Sequence, residues 1–163
     1  MRKMLSVFMI VSTFLVLSHL YVLQHDLVIP VKIVMKQTTT AAQLRSIGVN
    51  SNIAPSVEMV SKQTGLSPEL LIALMYTEST GNAKAVSSKG YKGLMQIPFA
   101  VYYTDANLLI GAHIFNEKMK QTNRNLIHAL CLYKGYPIDS ERGIMQAKKV
   151  IALKNKLQMI GES

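Results

Sequence analysis

Residues 67–98 read SPELLIALMYTESTGNAKAVSSKGYKGLMQIP, and the reading of this stretch decides the fold. It opens with a helix start. Ser67 is a capping residue, Pro68 suits the first helical position, and Glu69 complements the positive end of the helix dipole. Leu70 to Tyr76 follow without a polar break, so the helix is apolar all round and is expected to be buried. Glu78 stands at its C-terminal end, after which Gly81-Asn82 turns the chain. A lone charge in an apolar setting is costly, so burial there favours the protonated carboxyl group. That is the state a general acid needs.

Outward from this helix the pattern stays helical. Upstream, Pro55 to Thr64 carries Val57 and Val60 on one face, with Met59 beside them and Gly65 as a stop. Downstream, Asp105 to Gln121 places Leu108, Leu109, Ala112 and Phe115 at amphipathic spacing, with Ile114 and Met119 alongside. Asn125 caps a short apolar helix, Leu126 to Tyr133, which Gly135 and Pro137 end. Asp139 is the expected start of a last helix, with Ile144, Ala147, Val150, Ile151, Leu153 and Leu157 on its buried side and Gly161 as terminator. Its lysines 148, 149, 154 and 156 read as a solvated face. No repeat and no strand-rich region appears, so the expected fold is mostly α.

The N-terminal third differs. Met1-Arg2-Lys3 is cationic, and Met4 to Leu23 contains no formal charge. Flanks and length fit a transmembrane helix or the front of a secretory signal. No small-x-small cleavage site follows closely, which favours an uncleaved anchor. Arg2 and Lys3 then stay cytoplasmic and the rest of the chain lies outside. Leu27 to Met35 is a short strand or a segment lying along the membrane. Gln37 to Gln43, QTTTAAQ, has linker composition. The expected division is 1–36 anchor or signal with its juxtamembrane segment, 37–52 linker, and 53–163 the helical domain, its boundary near Gly48 to Ile53.

Composition narrows the function. The 163 residues carry a net charge of +9, and from Gln37 onward 14 Lys/Arg stand against 8 Asp/Glu, a net +6. A basic surface favours polyanions such as nucleic acid, anionic lipid or bacterial wall polymers. The charges are dispersed and no nucleic-acid motif appears, so no nucleic-acid partner is expected. The single cysteine, Cys131, excludes an internal disulfide and lies in an apolar run as a core residue. No Cys/His cluster has metal-ligand spacing, and no metal or cofactor is expected. His113 and His128 have no identifiable partner.

Several motifs together resemble a known family. Glu78-Ser79, then AVSSKG at Ala85 to Gly90, then GLMQ at Gly93 to Gln96 follow E-S-x-x-N-x-x-A-V-S-x-x-G-x-x-G-L-M-Q. This pattern resembles the transglycosylase domain of bacterial soluble lytic transglycosylases, relatives of goose-type lysozyme. Asp105, Asn107 and Gly111 resemble the family's D-x-x-N-I-x-x-G, with shortened spacing. ALCLYKG at Ala129 to Gly135 resembles A-L-A-A-Y-N-x-G. The resemblance runs from about Ser56 to Ile151.

The resemblance implies a lysozyme-like helical domain whose cleft binds peptidoglycan glycan strands. It implies cleavage of the β-1,4 bond from N-acetylmuramic acid to N-acetylglucosamine, with a 1,6-anhydro end formed and no water used. Glu78 is the implied general acid and base. Ser87, Gln96 and Tyr133 are the implied substrate-side residues, each with a bland alternative. Ser87 contacts the sugar or the glutamate, or merely turns the loop. Gln96 faces the glycan, or satisfies backbone groups between Gly93 and Pro98. The Tyr133 phenol points at Glu78, or belongs to the core. Asn107 is expected to tie down a helix start, Met95 to be core, and Gly90 and Gly93 to set backbone geometry.

The acidic residues after the linker give separate support. Ordinary glycosidases need two carboxyl groups across the scissile bond. Here Glu58, Glu69, Asp105, Glu117, Asp139, Glu141 and Glu162 each fit a cap, a first turn or a polar helix face, which leaves Glu78. Three departures from the family pattern stand out. Lys134 replaces the family's Asn, Ile97-Pro98 follows Gln96 where a methionine is common, and the segment from Gln96 to Asn107 is short. The rival readings are a water-using muramidase and an idle peptidoglycan-binding assembly protein. Size and anchor suit local wall opening for an envelope-spanning or viral assembly.

Overall fold

The structure, a computed structural model, describes residues 39–99, 101 and 103–161. The expected anchor at Met4 to Leu23 and the segment Leu27 to Met35 lie outside them. Helices follow in order: α1 (39–46), a 3-10 turn at Ser51–Ile53, α2 (Ala54–Thr64), α3 (Pro68–Ser79), α4 (Thr104–Gln121), α5 (Leu126–Tyr133) and α6 (Glu141–Gly161). Among the described residues there is no strand, only isolated antiparallel bridges from Lys92 to Val86 and to Ile97. None of these helices is long and apolar enough to cross a membrane.

The central helix, α3, is built as its sequence dictates. The Ser67 side chain accepts from the Leu70 N–H, Pro68 occupies the first turn, and every residue from Leu70 to Met75 is buried. The helix packs against α6, α2 and α4, while α5 bridges α4 and α6 and α2 lies on α4. Ser56 on α2 also donates to the Asp105 carboxylate at the head of α4. Phe115, Leu71, Ile72, Leu74, Leu108, Leu130 and Leu157 are among the fully buried side chains where these helices meet.

Two local expectations are corrected, and the turn expected at Gly81 is entered one residue earlier. The left-handed residue that ends α3 is Thr80, at φ 54°, ahead of Gly81 at φ 82°. Helix α6 starts at Glu141, two residues later than expected, because the Ser140 hydroxyl takes the Gly143 N–H as its cap. The stretch read as linker is folded. Residues 39–46 are helical, with Thr40, Gln43 and Leu44 buried, and the unit that holds the helices begins at Gln37. The Gln43 amide donates to Glu69 Oε1 at 3.1 Å and to the Leu157 carbonyl at 2.9 Å, pinning α1 to α3 and α6.

Candidate active site

The end of α3 delivers Glu78 to a cleft of about 310 Å³. The loop between α3 and α4 forms one wall and the C-terminal end of α5 another. The loop is tightly tied. Lys92 and Ile97 exchange backbone hydrogen bonds at 2.9 and 3.1 Å, and Gly93 N–H donates to the Ala85 carbonyl at 2.9 Å. Asn107 of α4 clamps it from below: Oδ1 accepts from Met95 N–H at 2.9 Å and Nδ2 donates to the Lys92 carbonyl at 3.1 Å. A Cβ at Gly93 would lie 2.3 Å from Asn107 Nδ2, so the clamp needs glycine there. Gly111 on α4 likewise lets Met95 seat against the helix, since a Cβ there would meet Met95 Cβ at 2.3 Å. Met95 is core as expected, whereas Asn107 is structural in another way, holding the loop down rather than fixing the start of its own helix.

Glu78, Gln96 and Tyr133 all line the cleft, and Ser87 does not. Ser87 Oγ accepts from Tyr91 N–H at 3.0 Å, the loop-turning alternative. Gln96 sits at φ 49°, and its amide nitrogen donates to the carbonyls of Gly93 at 2.9 Å and Ala85 at 3.3 Å. No protein partner of its amide oxygen appears among the described residues.

Tyr133 differs from expectation. Its hydroxyl donates to the Met95 carbonyl at 2.8 Å rather than to Glu78, and its ring meets Phe115 edge-on at 5.7 Å. Burial, and second the negative charge of nearby Glu78, push the phenol pKa far above its ordinary value. The phenol thus braces the loop under Glu78.

The partner of Glu78 is Lys134, which ends α5. Nζ lies 2.7 Å from Glu78 Oε1, with the two side chains 9% and 17% exposed respectively. A lysine at a helix C-terminus is well placed beside the carbonyl end of the dipole. The ammonium fixes one carboxylate oxygen. No protein partner of the other appears among the described residues, and Glu78 lines the cleft. Glu78 is thus paired with a cation instead of sitting alone in an apolar wall. Among the described residues no other carboxyl group lines the cleft, whereas Lys89 and Lys118 do. Sequence reasoning noted Lys134 only as a departure; its place next to Tyr133 at a helix end was the available signal. Cys131 is fully buried, and burial pushes its thiol pKa up, as for a core residue.

A family model, the transglycosylase SLT domain, matches residues 55–155. The chain belongs to the transglycosylase SLT family. The match takes in α2 to α5 and most of α6, with the whole cleft and Glu78, Gln96, Tyr133 and Lys134 inside it. Transglycosylase SLT domains carry out lytic cleavage of peptidoglycan, and the mostly helical fold fits a lysozyme-like domain of that family. Among the curated proteins none matches this chain.

Proposed function

We propose that this transglycosylase SLT domain cleaves the β-1,4 bond from N-acetylmuramic acid to N-acetylglucosamine in peptidoglycan, leaving a 1,6-anhydro muramyl end. The observation that carries this reading is that, among the described residues, Glu78 is the only carboxyl group lining the cleft. A two-carboxylate glycosidase needs a second one across the bond. With Glu78 alone, the substrate supplies the nucleophile. The reaction starts from the form of Glu78 that carries a proton on the oxygen not held by Lys134, and that proton passes to the leaving glycosidic oxygen as the bond to C1 breaks. The muramyl 6-hydroxyl then closes on C1 and returns a proton to Glu78, so the enzyme ends as it began and water takes no part. Gln96 is assigned to the glycan through its open amide oxygen, and Tyr133 to positioning through Met95. Ser87 remains a substrate-side candidate on resemblance alone.

Mass spectrometry of digested peptidoglycan tests the reading. Anhydro ends are expected; reducing ends would make the protein a water-using muramidase. Glu78→Gln is expected to lower lysis by about 10²-fold or more, the scale of general acid catalysis, while leaving peptidoglycan binding intact. Equal lysis by both proteins would remove Glu78 from the mechanism. No lysis by either, with binding retained, would favour the idle assembly protein. The uncharged run Met4 to Leu23 supports a single-pass anchor with the domain outside the cytoplasmic membrane; recovery of the full chain in a carbonate-washed membrane fraction checks it.

A further inference from the structure

The cleft carries more positive charge than its acid requires. Among the described residues, Lys89, Lys118 and Lys134 line it against the single carboxylate of Glu78. Lys118 Nζ also reaches Gln121 Oε1 at 3.2 Å, and Lys89 is exposed. Lys134 is different: its side chain is only 9% exposed, and among the described residues its ammonium meets no acceptor but Glu78 Oε1. An ammonium has three donors. Those not used by Glu78 are held in a partly desolvated position, beside the place where a glycan must lie for Glu78 to reach it.

On the function proposed above, we infer that Lys134 makes this cleft selective for glycan whose muramyl lactyl carboxyl group is free, that is, for strands already stripped of stem peptide. The sugar rings of peptidoglycan are neutral, and the lactyl carboxyl is the one ionisable group borne directly on muramic acid. In a peptide-bearing strand that carboxyl is an uncharged amide. The nearest carboxylates then lie farther out along the stem, where solvent screens them. A half-buried cation next to the scissile bond therefore distinguishes the two states, while surface lysines attract both alike. The selectivity places a reaction before this one. An amide hydrolysis must add water across the lactyl–peptide bond, leaving the carboxylate on the glycan and the amine on the released peptide.

The test is binding, measured by NMR titration of the full chain with three ligands. These are the disaccharide GlcNAc-MurNAc with its lactyl carboxylate free, the same disaccharide with that group converted to the methylamide, and the peptide-bearing disaccharide. None contains a MurNAc-to-GlcNAc bond, so turnover plays no part. The wild type is expected to bind the free acid about tenfold more tightly than either capped form, the scale of one charge-assisted hydrogen bond. Lys134→Met should bind all three alike, and Lys134→Arg should restore the preference, with circular dichroism showing that both variants are folded. Equal affinity of the wild type for free acid and methylamide overturns the inference, as does a preference that survives in Lys134→Met. A preference found in a protein that yields no anhydro product sustains the inference and removes only the proposed chemistry.

Discussion

The hydroxyl of Tyr133 closes on the Met95 carbonyl, so the effect of losing it begins in the loop rather than at the acid. Tyr133→Phe leaves a buried carbonyl without its donor, a cost of about 1–3 kcal/mol. The expected result is a thermal midpoint several degrees lower, with loss of activity following the loosened loop. The same phenol sets a pH dependence. Its folded pKa is raised well above the ordinary tyrosine value of about 10, so its contribution to stability is intact below that pH. Above it the unfolded chain gives up the proton while the folded chain keeps it, and stability falls as pH rises. Denaturant midpoints at pH 8 and pH 11 are expected to drop more in the wild type than in Tyr133→Phe. Ser67, Pro68 and Asn125 were readable from sequence because a cap depends on neighbours along the chain. The acceptor of Tyr133 and the partner of Glu78 were not. Each depends on a contact 38 and 56 residues away in the chain, and helical spacing does not choose between two nearby polar groups.

At the scale of elements, the loop from α3 to α4 keeps its shape through Asn107, which is 2% exposed. Asn107→Ala removes the acceptor for Met95 N–H and the donor to the Lys92 carbonyl, each loss costing about 1–3 kcal/mol. Hydrogen exchange should quicken over Ala85 to Ile97 while amides in α6 keep their protection; uniform quickening would mean that the clamp supports the whole core. The end of α3 offers a change of opposite sign. Thr80 holds a left-handed conformation at φ 54°, which is unfavourable for a β-branched residue. Thr80→Gly should raise stability by about 1 kcal/mol, read as an upward shift of the urea midpoint at unchanged slope. The helices themselves were legible because an apolar period ran along α2 to α5, helped by the caps Ser67 and Asn125 and the glycine stop at Gly65. The start of α6 was missed because Asp139 and Ser140 are both good caps and only packing selects the serine.

For the molecule as a whole, the sequence placed the helical domain from residue 53 onward, and the fold extends further back. QTTTAAQ resembles a linker because it offers few large apolar side chains. The surface it buries belongs to Thr40 and to the amide of Gln43, with Leu44 just beyond. Burial by small and polar side chains leaves almost no hydrophobic signature, so it became visible only with its partners on α3 and α6. A chain beginning at residue 53 should be less stable than one beginning at residue 37 by about 3 kcal/mol or more, the loss of a buried leucine together with the bonds of Gln43. Comparison of their urea midpoints checks this, and equal midpoints would make α1 an ornament.

Val49 packs so closely on Gly81 that a Cβ there would lie 2.8 Å from its Cγ2. Gly81 follows Glu78 by three positions. The upstream segment therefore serves as a backstop for the bend that aims the carboxyl group. Trimming the protein from the front, the usual first step toward a tractable enzyme, would let that bend relax. The harm would be felt in the aim of the acid as well as in the melting point.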